Sequence, residues 1–155
     1  MNQILSVEQL TKTFTMHTLH SRIIKGCTNV SFSLDQGEVL GLSGPSGTGK
    51  SSVLKCIYRA YLPTSGALQY ESERVGRVDL AQLDEHRIIV LRQFEIGYVT
   101  QFLNVIPRVS AVDTVAEPLL QNGVPLEEAR HRASELLERL YIPANLFDAC
   151  PVTFS

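Results

Sequence analysis

The sequence predicts an α/β fold with strands first and helices last, and three observations carry that prediction. Val30-Ser31-Phe32-Ser33-Leu34 alternates apolar and polar residues at period two, as a strand with one wet face does. Residues 39–43, Val-Leu-Gly-Leu-Ser, form a short apolar run ending in a glycine-rich loop. From Ser110 onward the apolar spacing becomes helical.

Taken in order, Ile4, Val7 and Leu10 mark a first strand ending at Thr11-Lys12-Thr13-Phe14, and Val30 to Leu34 a second, antiparallel to it. Asp35-Gln36-Gly37-Glu38 is a turn, and the run 39–43 reads as a buried parallel strand. A helix over Ser51 to Ala60 is predicted by Val53, Leu54 and Ile57, and Pro63-Thr64-Ser65-Gly66 breaks it. Short strands follow at Ala67 to Tyr70 and Val78 to Leu80, then a helix over Asp84 to Gln93 and a buried strand over Ile96 to Thr100. Ser110 and Asp113 have the spacing of a capping box, with Val115, Leu119 and Leu120 on one face of the helix they open. A last helix runs from Pro125 to about Leu140, with Glu127 and Glu128 in its first turn and a stripe through Leu126, Ala129, Ala133, Leu136, Leu137 and Leu140.

With 155 residues, 44% hydrophobic and 19% charged, the chain has the size and balance of one folded domain. A net charge of -2 gives no broad electrostatic grip on nucleic acid or anionic membrane, so any anion site must be local, and no nucleic-acid partner is expected. Cys27, Cys56 and Cys150 are scattered and read as buried reduced thiols. No secretory leader and no membrane-spanning run is visible, which predicts a cytoplasmic location, with docking on a membrane partner left open.

Gly44-Pro45-Ser46-Gly47-Thr48-Gly49-Lys50-Ser51 matches G-x-x-x-x-G-K-[ST], placed between a predicted strand and a helix N-terminus. A triphosphate is a compact polyanion that needs converging N–H donors, and Gly44, Gly47 and Gly49 let the backbone wrap it closely. The helix N-terminus adds a positive dipole end, with Ser52 in its first turn; Lys50 reaches terminal phosphate oxygens, and the Ser51 hydroxyl suits Mg2+. The expected cofactors are ATP and Mg2+. The plainer alternative is a glycine loop that binds nothing.

Tyr98-Val99-Thr100-Gln101 followed by Val112 to Leu120 resembles the Q-loop region of ATP-binding cassette (ABC) ATPases. The resemblance implies a P-loop NTPase core with an antiparallel β section (residues 1–101) and the start of a helical subdomain (102–155), a truncated cassette. It makes Gln101 the Q-loop glutamine, contacting Mg2+ or the attacking water, although an ordinary polar residue at a strand end fits the position too. It also places Phe14 at the A-loop aromatic that stacks on adenine, where a core or edge-strand phenylalanine is the alternative. Phe154 and Ser155 resemble the first two positions of the signature motif. The Walker B carboxylates and the switch histidine would lie beyond Ser155, so His17, His20, His86 and His131 receive no catalytic role. A P-loop strand without its Walker B neighbour is expected to expose apolar surface and to leave this fragment poorly stable.

Within that family, Gln101 to Ala111, Tyr58 to Pro63, Pro118 to Pro125 and Pro151 to Ser155 resemble the PhnL family of ATP-binding subunits from the phosphonate carbon-phosphorus lyase system. That implies a cytosolic subunit acting with a second ABC subunit, in a homo- or heterodimer, and with other lyase subunits to activate an alkylphosphonate. The alternative is an exporter or lipoprotein-release ATPase, whose segment around Val105 to Asn122 receives a membrane permease. Two further classes stand beside these. A pure binding module fits a chain without Walker B residues, whereas a small-molecule kinase would need an arginine-rich lid. Arg130, Arg132 and Arg139 instead share their helix with four glutamates, as on an ordinary solvated face.

Overall fold

The computed structural model describes residues 2–16, 22–100 and 107–154. The chain divides into two compact units, residues 1–99 and 100–155.

In the first unit, β1 (Gln3–Met16), β2 (Arg22–Asp35), β3 (Ser65–Ser72) and β4 (Gly76–Asp79) form an antiparallel sheet in the order β2-β1-β3-β4. The core positions of β1 are Leu5, Val7 and Leu10, a period of two that slips by one residue. Gln9 explains the slip: its φ of 49° breaks the β1–β2 register between Val7 and Leu10, and its N–H donates to Ser31 Oγ at 2.8 Å. The bulge turns Leu10 inward to pack with Leu68 of β3, and both are fully buried.

Two helices belong to this unit, α1 (Lys50–Ile57) and α2 (Glu85–Phe94). The sequence places a helix over 51–60, but α1 ends at Ile57 because Arg59 adopts the left-handed φ of 65°. Its buried stripe is Val53 and Cys56, while Leu54 is 46% exposed. Arg59 locks this end: Nε donates to the Leu80 carbonyl at 2.6 Å and Nη2 to that of Leu83 at 3.0 Å. Helix α2 starts at Asp84, whose carboxylate accepts from Arg87 N–H at 3.1 Å, and it lays Ile88 and Leu91 on the core.

Two expected strands are absent. Residues 39–43 and 96–100 are not strands, and Val39 and Val99 are 95% and 96% exposed. An apolar run becomes a strand only when a neighbour supplies hydrogen-bond partners, and among the described residues no strand pairs with either run.

The second unit pairs α3 (Ala111–Gln121) with α4 (Leu126–Arg139). The Ser110 hydroxyl accepts from Asp113 N–H at 3.1 Å and donates to the Asp113 carboxylate at 2.6 Å, so the box closes. The contact is made by small residues: Ala111, Val112 and Ala116 meet Ala129, Ala133 and Leu137, while Leu120, Leu126, Leu136 and Leu140 of the anticipated stripes are 37% to 70% exposed. Close helix approach favours alanine over leucine at such a seam, which hydrophobicity alone does not rank. Among the described residues no helix is long and apolar enough to cross a membrane.

Candidate functional site

A cavity of about 370 Å3 lies in the first unit where β1, β2 and α1 meet. The strands contribute Phe14, Ile24, Lys25 and Gly26; the loop and helix contribute Ser46, Gly47, Gly49, Lys50, Ser51 and Ser52. Two lysines, three serines and three glycines converge there, and none of the lining residues is acidic. The donor set is that of an anion site.

Helix α1 reinforces this. Its N-cap is Gly49, with φ of 96° and no capping side chain, and its first turn holds no acidic residue. The other described α-helices each carry acid in the first turn: Glu85 in α2, Asp113 in α3, Glu127 and Glu128 in α4. The N–H groups and dipole of α1 are therefore left for a ligand's negative charge.

Glycine is required at Gly49 on two counts, its left-handed φ and its approach to β2. A Cβ there would stand 1.8 Å from the Gly26 carbonyl oxygen. Gly26 in turn makes room for Phe14, whose Cε2 would lie 2.7 Å from a Cβ at that position.

Lys50 lines the cavity with its ammonium folded back onto its own loop. Its ammonium donates to the carbonyls of Gly44 at 2.8 Å and Pro45 at 2.6 Å, with Thr48 Oγ1 donating to the same Pro45 carbonyl at 2.9 Å. Gly44, Pro45 and Thr48 thus shape the loop around the lysine without lining the cavity. Phosphate oxygens would have to compete for the ammonium, an exchange of neutral carbonyl acceptors for charged ones, which forms the stronger bond.

Phe14 is brought to the same cavity, its ring meeting Tyr61 edge-on at 5.1 Å between centroids, with Lys12 Nζ 5.0 Å above it. Gln101, Ser155, His17 and His20 lie outside the described residues. The motif reading did not include Lys25, Gly26 or Tyr61. Gly26 would have had a signal, an isolated glycine within a strand, had the second strand been read back to Arg22 and not begun at Val30; Lys25 and Tyr61 had none.

The expectation of buried reduced cysteines holds for Cys27 and Cys56, and burial pushes both thiols up, Cys56 to about 11. Cys150 is half-buried.

The family model described as ABC transporter matches residues 27–152. The chain belongs to the ABC transporter ATPase family. Its fold is that family's α/β P-loop core with an antiparallel section. The cassette is 34% identical, over 85% of its length, to an uncharacterized ABC transporter ATP-binding protein of Thermotoga maritima, of which that match covers 54%. It is 32% identical over 92% of its length to the lipoprotein-releasing system ATP-binding protein LolD of Maricaulis maris, covering 59% of that protein. Among solved structures it matches the ATP-binding cassette MJ0796, seen as a dimer in a post-hydrolysis state bound to ADP and Pi, with a TM-score of 0.84 and 29% identity over 98% of this chain and 63% of that one. The cassette therefore spans somewhat more than half the length of these relatives.

Proposed function

We propose that the cavity holds the phosphates of ATP together with Mg2+, and that the chain is part of the ATP-binding subunit of a membrane transporter located in the cytoplasm. The observation that carries this reading is the uncapped, acid-free N-terminus of α1 facing a cavity that holds Lys50 and no carboxylate. Gly44 to Ser51 wraps the phosphates, with the N–H groups of Lys50, Ser51 and Ser52 at the helix end as donors. Lys50 leaves its two loop carbonyls for phosphate oxygens, and Phe14 offers its ring to the base. Ser51 would hold Mg2+ through its hydroxyl, with Gln101 as a second ligand by family resemblance; the ion, when bound, neutralises phosphate charge. Gln101 also stands in this reading as the residue that meets the attacking water. Residues 1–101 form the nucleotide core and 102–155 the start of a helical subdomain; hydrolysis belongs to the intact protein, paired with a second cassette.

Relatives named for lipoprotein release, and for methionine import in Salmonella typhimurium, favour a permease as the further partner. A second reading, a carbon-phosphorus lyase subunit, rests on the four segments that resemble PhnL. Turnover raised by a reconstituted permease supports the first, and turnover raised only by lyase subunits supports the second.

The test of the site is Mg-ATP binding by this chain beside Lys50→Ala. A loss of affinity of at least about tenfold, the worth of a charge-assisted bond to phosphate, is expected. Unchanged affinity in Lys50→Ala would remove the P-loop from the function. Turnover by this chain alone would assign the Walker B role to another carboxylate.

A further inference from the structure

Phe14 is not held by the strand alone. Its ring and that of Tyr61 form a T-shaped pair at 79°, 5.1 Å between centroids, the favourable arrangement for two quadrupoles. Tyr61 is tied in turn to the helix that carries the P-loop lysine: its N–H donates to the Lys55 carbonyl at 3.0 Å, and Lys55 Nζ lies 3.4 Å from its hydroxyl and 5.2 Å from its ring centroid. Lys12, two residues before Phe14 on β1, places its ammonium 5.0 Å over the Phe14 ring and 5.9 Å from that of Tyr61. The loop bearing Tyr61 is also fastened to β1, through Thr64 N–H to the Thr11 carbonyl at 2.8 Å and Thr13 N–H to Thr64 Oγ1 at 2.9 Å.

We propose that Tyr61 is a positioning residue for nucleotide binding: it sets the plane of the Phe14 ring relative to α1, so that base platform and phosphate loop keep one fixed spacing. The inference rests on the reading of Phe14 as the base platform. Tyr61 touches no part of the nucleotide in this account and acts only through Phe14. A ring free to turn about χ1 would lose part of its stacking energy to the entropy of being ordered at binding. The phosphates, held by the loop and α1, would be unaffected.

Comparing affinities for Mg-ATP and for Mg-tripolyphosphate, which lacks the base, separates these effects in the intact protein. Tyr61→Ala is expected to weaken ATP about 3- to 10-fold while tripolyphosphate stays within about twofold, the range an aromatic pair supplies. Tyr61→Phe, which keeps the aromatic ring, should bind ATP nearly as the wild type does. Adding Tyr61→Ala to Phe14→Ala should cost ATP nothing further, because both changes remove one interaction. Equal losses for both ligands would show a structural role only and overturn the proposal. So would a Tyr61→Ala protein that binds ATP normally while Phe14→Ala does not. If Phe14→Ala itself leaves the ratio of the two affinities unchanged, the base-platform reading fails and this inference with it. Should Tyr61→Ala not fold, Tyr61→Leu fills the space without an aromatic ring and must show the same ATP-selective loss.

Discussion

The antiparallel sheet and the two apolar runs at 39–43 and 96–100 have similar composition and opposite fates. Leu10 and Leu68, on neighbouring strands of the sheet, are fully buried, whereas Val39 and Val99 are 95% and 96% exposed. In the sheet, β1 finds β2 across a short connection, and β3 finds β4 across a turn in which Ser72 Oγ accepts from the N–H groups of Arg74 and Val75. Local partners close the ladder at little entropic cost. The two runs have no strand beside them among the described residues; Leu42 and Ile96 pack partly against the core, while Val39 and Val99 gain little from burial. A strand is a property of a pair, and apolar pattern measures only the willingness of one member.

That contrast can be broken by substitution. Leu68→Ala, at a fully buried position, should destabilise the fold by roughly 2–5 kcal/mol, read from the shift of a denaturant midpoint. A smaller value would mean that the sheet core is as loosely held as the exposed runs.

A smaller effect, visible through pH, sharpens the comparison at α2, which covers the sheet and precedes run 96–100. The Arg87 N–H, above all, holds the Asp84 carboxyl below its ordinary 3.8. A lowered folded value means the cap stabilises fully above the ordinary carboxylate range and is lost as pH falls through and below it. Asp84→Asn, which keeps a capping oxygen that does not titrate, should flatten that part of the acid limb of thermal stability. An unchanged limb would show that other carboxylates dominate it. The smallest change is expected at the run itself: Val39→Thr should move stability by no more than about 0.5 kcal/mol while reducing aggregation. A loss like that of Leu68→Ala would show Val39 buried in solution.

Much of the candidate site's lining was legible because its signals are local. The eight residues from Gly44 to Ser51 carry the spacing expected of a phosphate loop, and Ser110 and Asp113 announce a helix start through side chains that reach their own backbone. What stayed hidden depends on distant partners. The Gln9 bulge answers to Ser31, the end of α1 to carbonyls at Leu80 and Leu83, and the alanine seam of α3 and α4 to how closely two helices approach.

By itself, then, the sequence determined the α/β class, the glycine-rich loop ahead of α1 and the Ser110–Asp113 cap, since each is decided within a few residues by backbone freedom and short-range hydrogen bonds. Only the tertiary structure decided that Lys50 rests on the carbonyls of Gly44 and Pro45, that Phe14 comes to the loop's cavity against Tyr61, and that two apolar runs remain outside the sheet. Those outcomes are set by which groups meet across the fold, and spacing along the chain carries no record of such meetings.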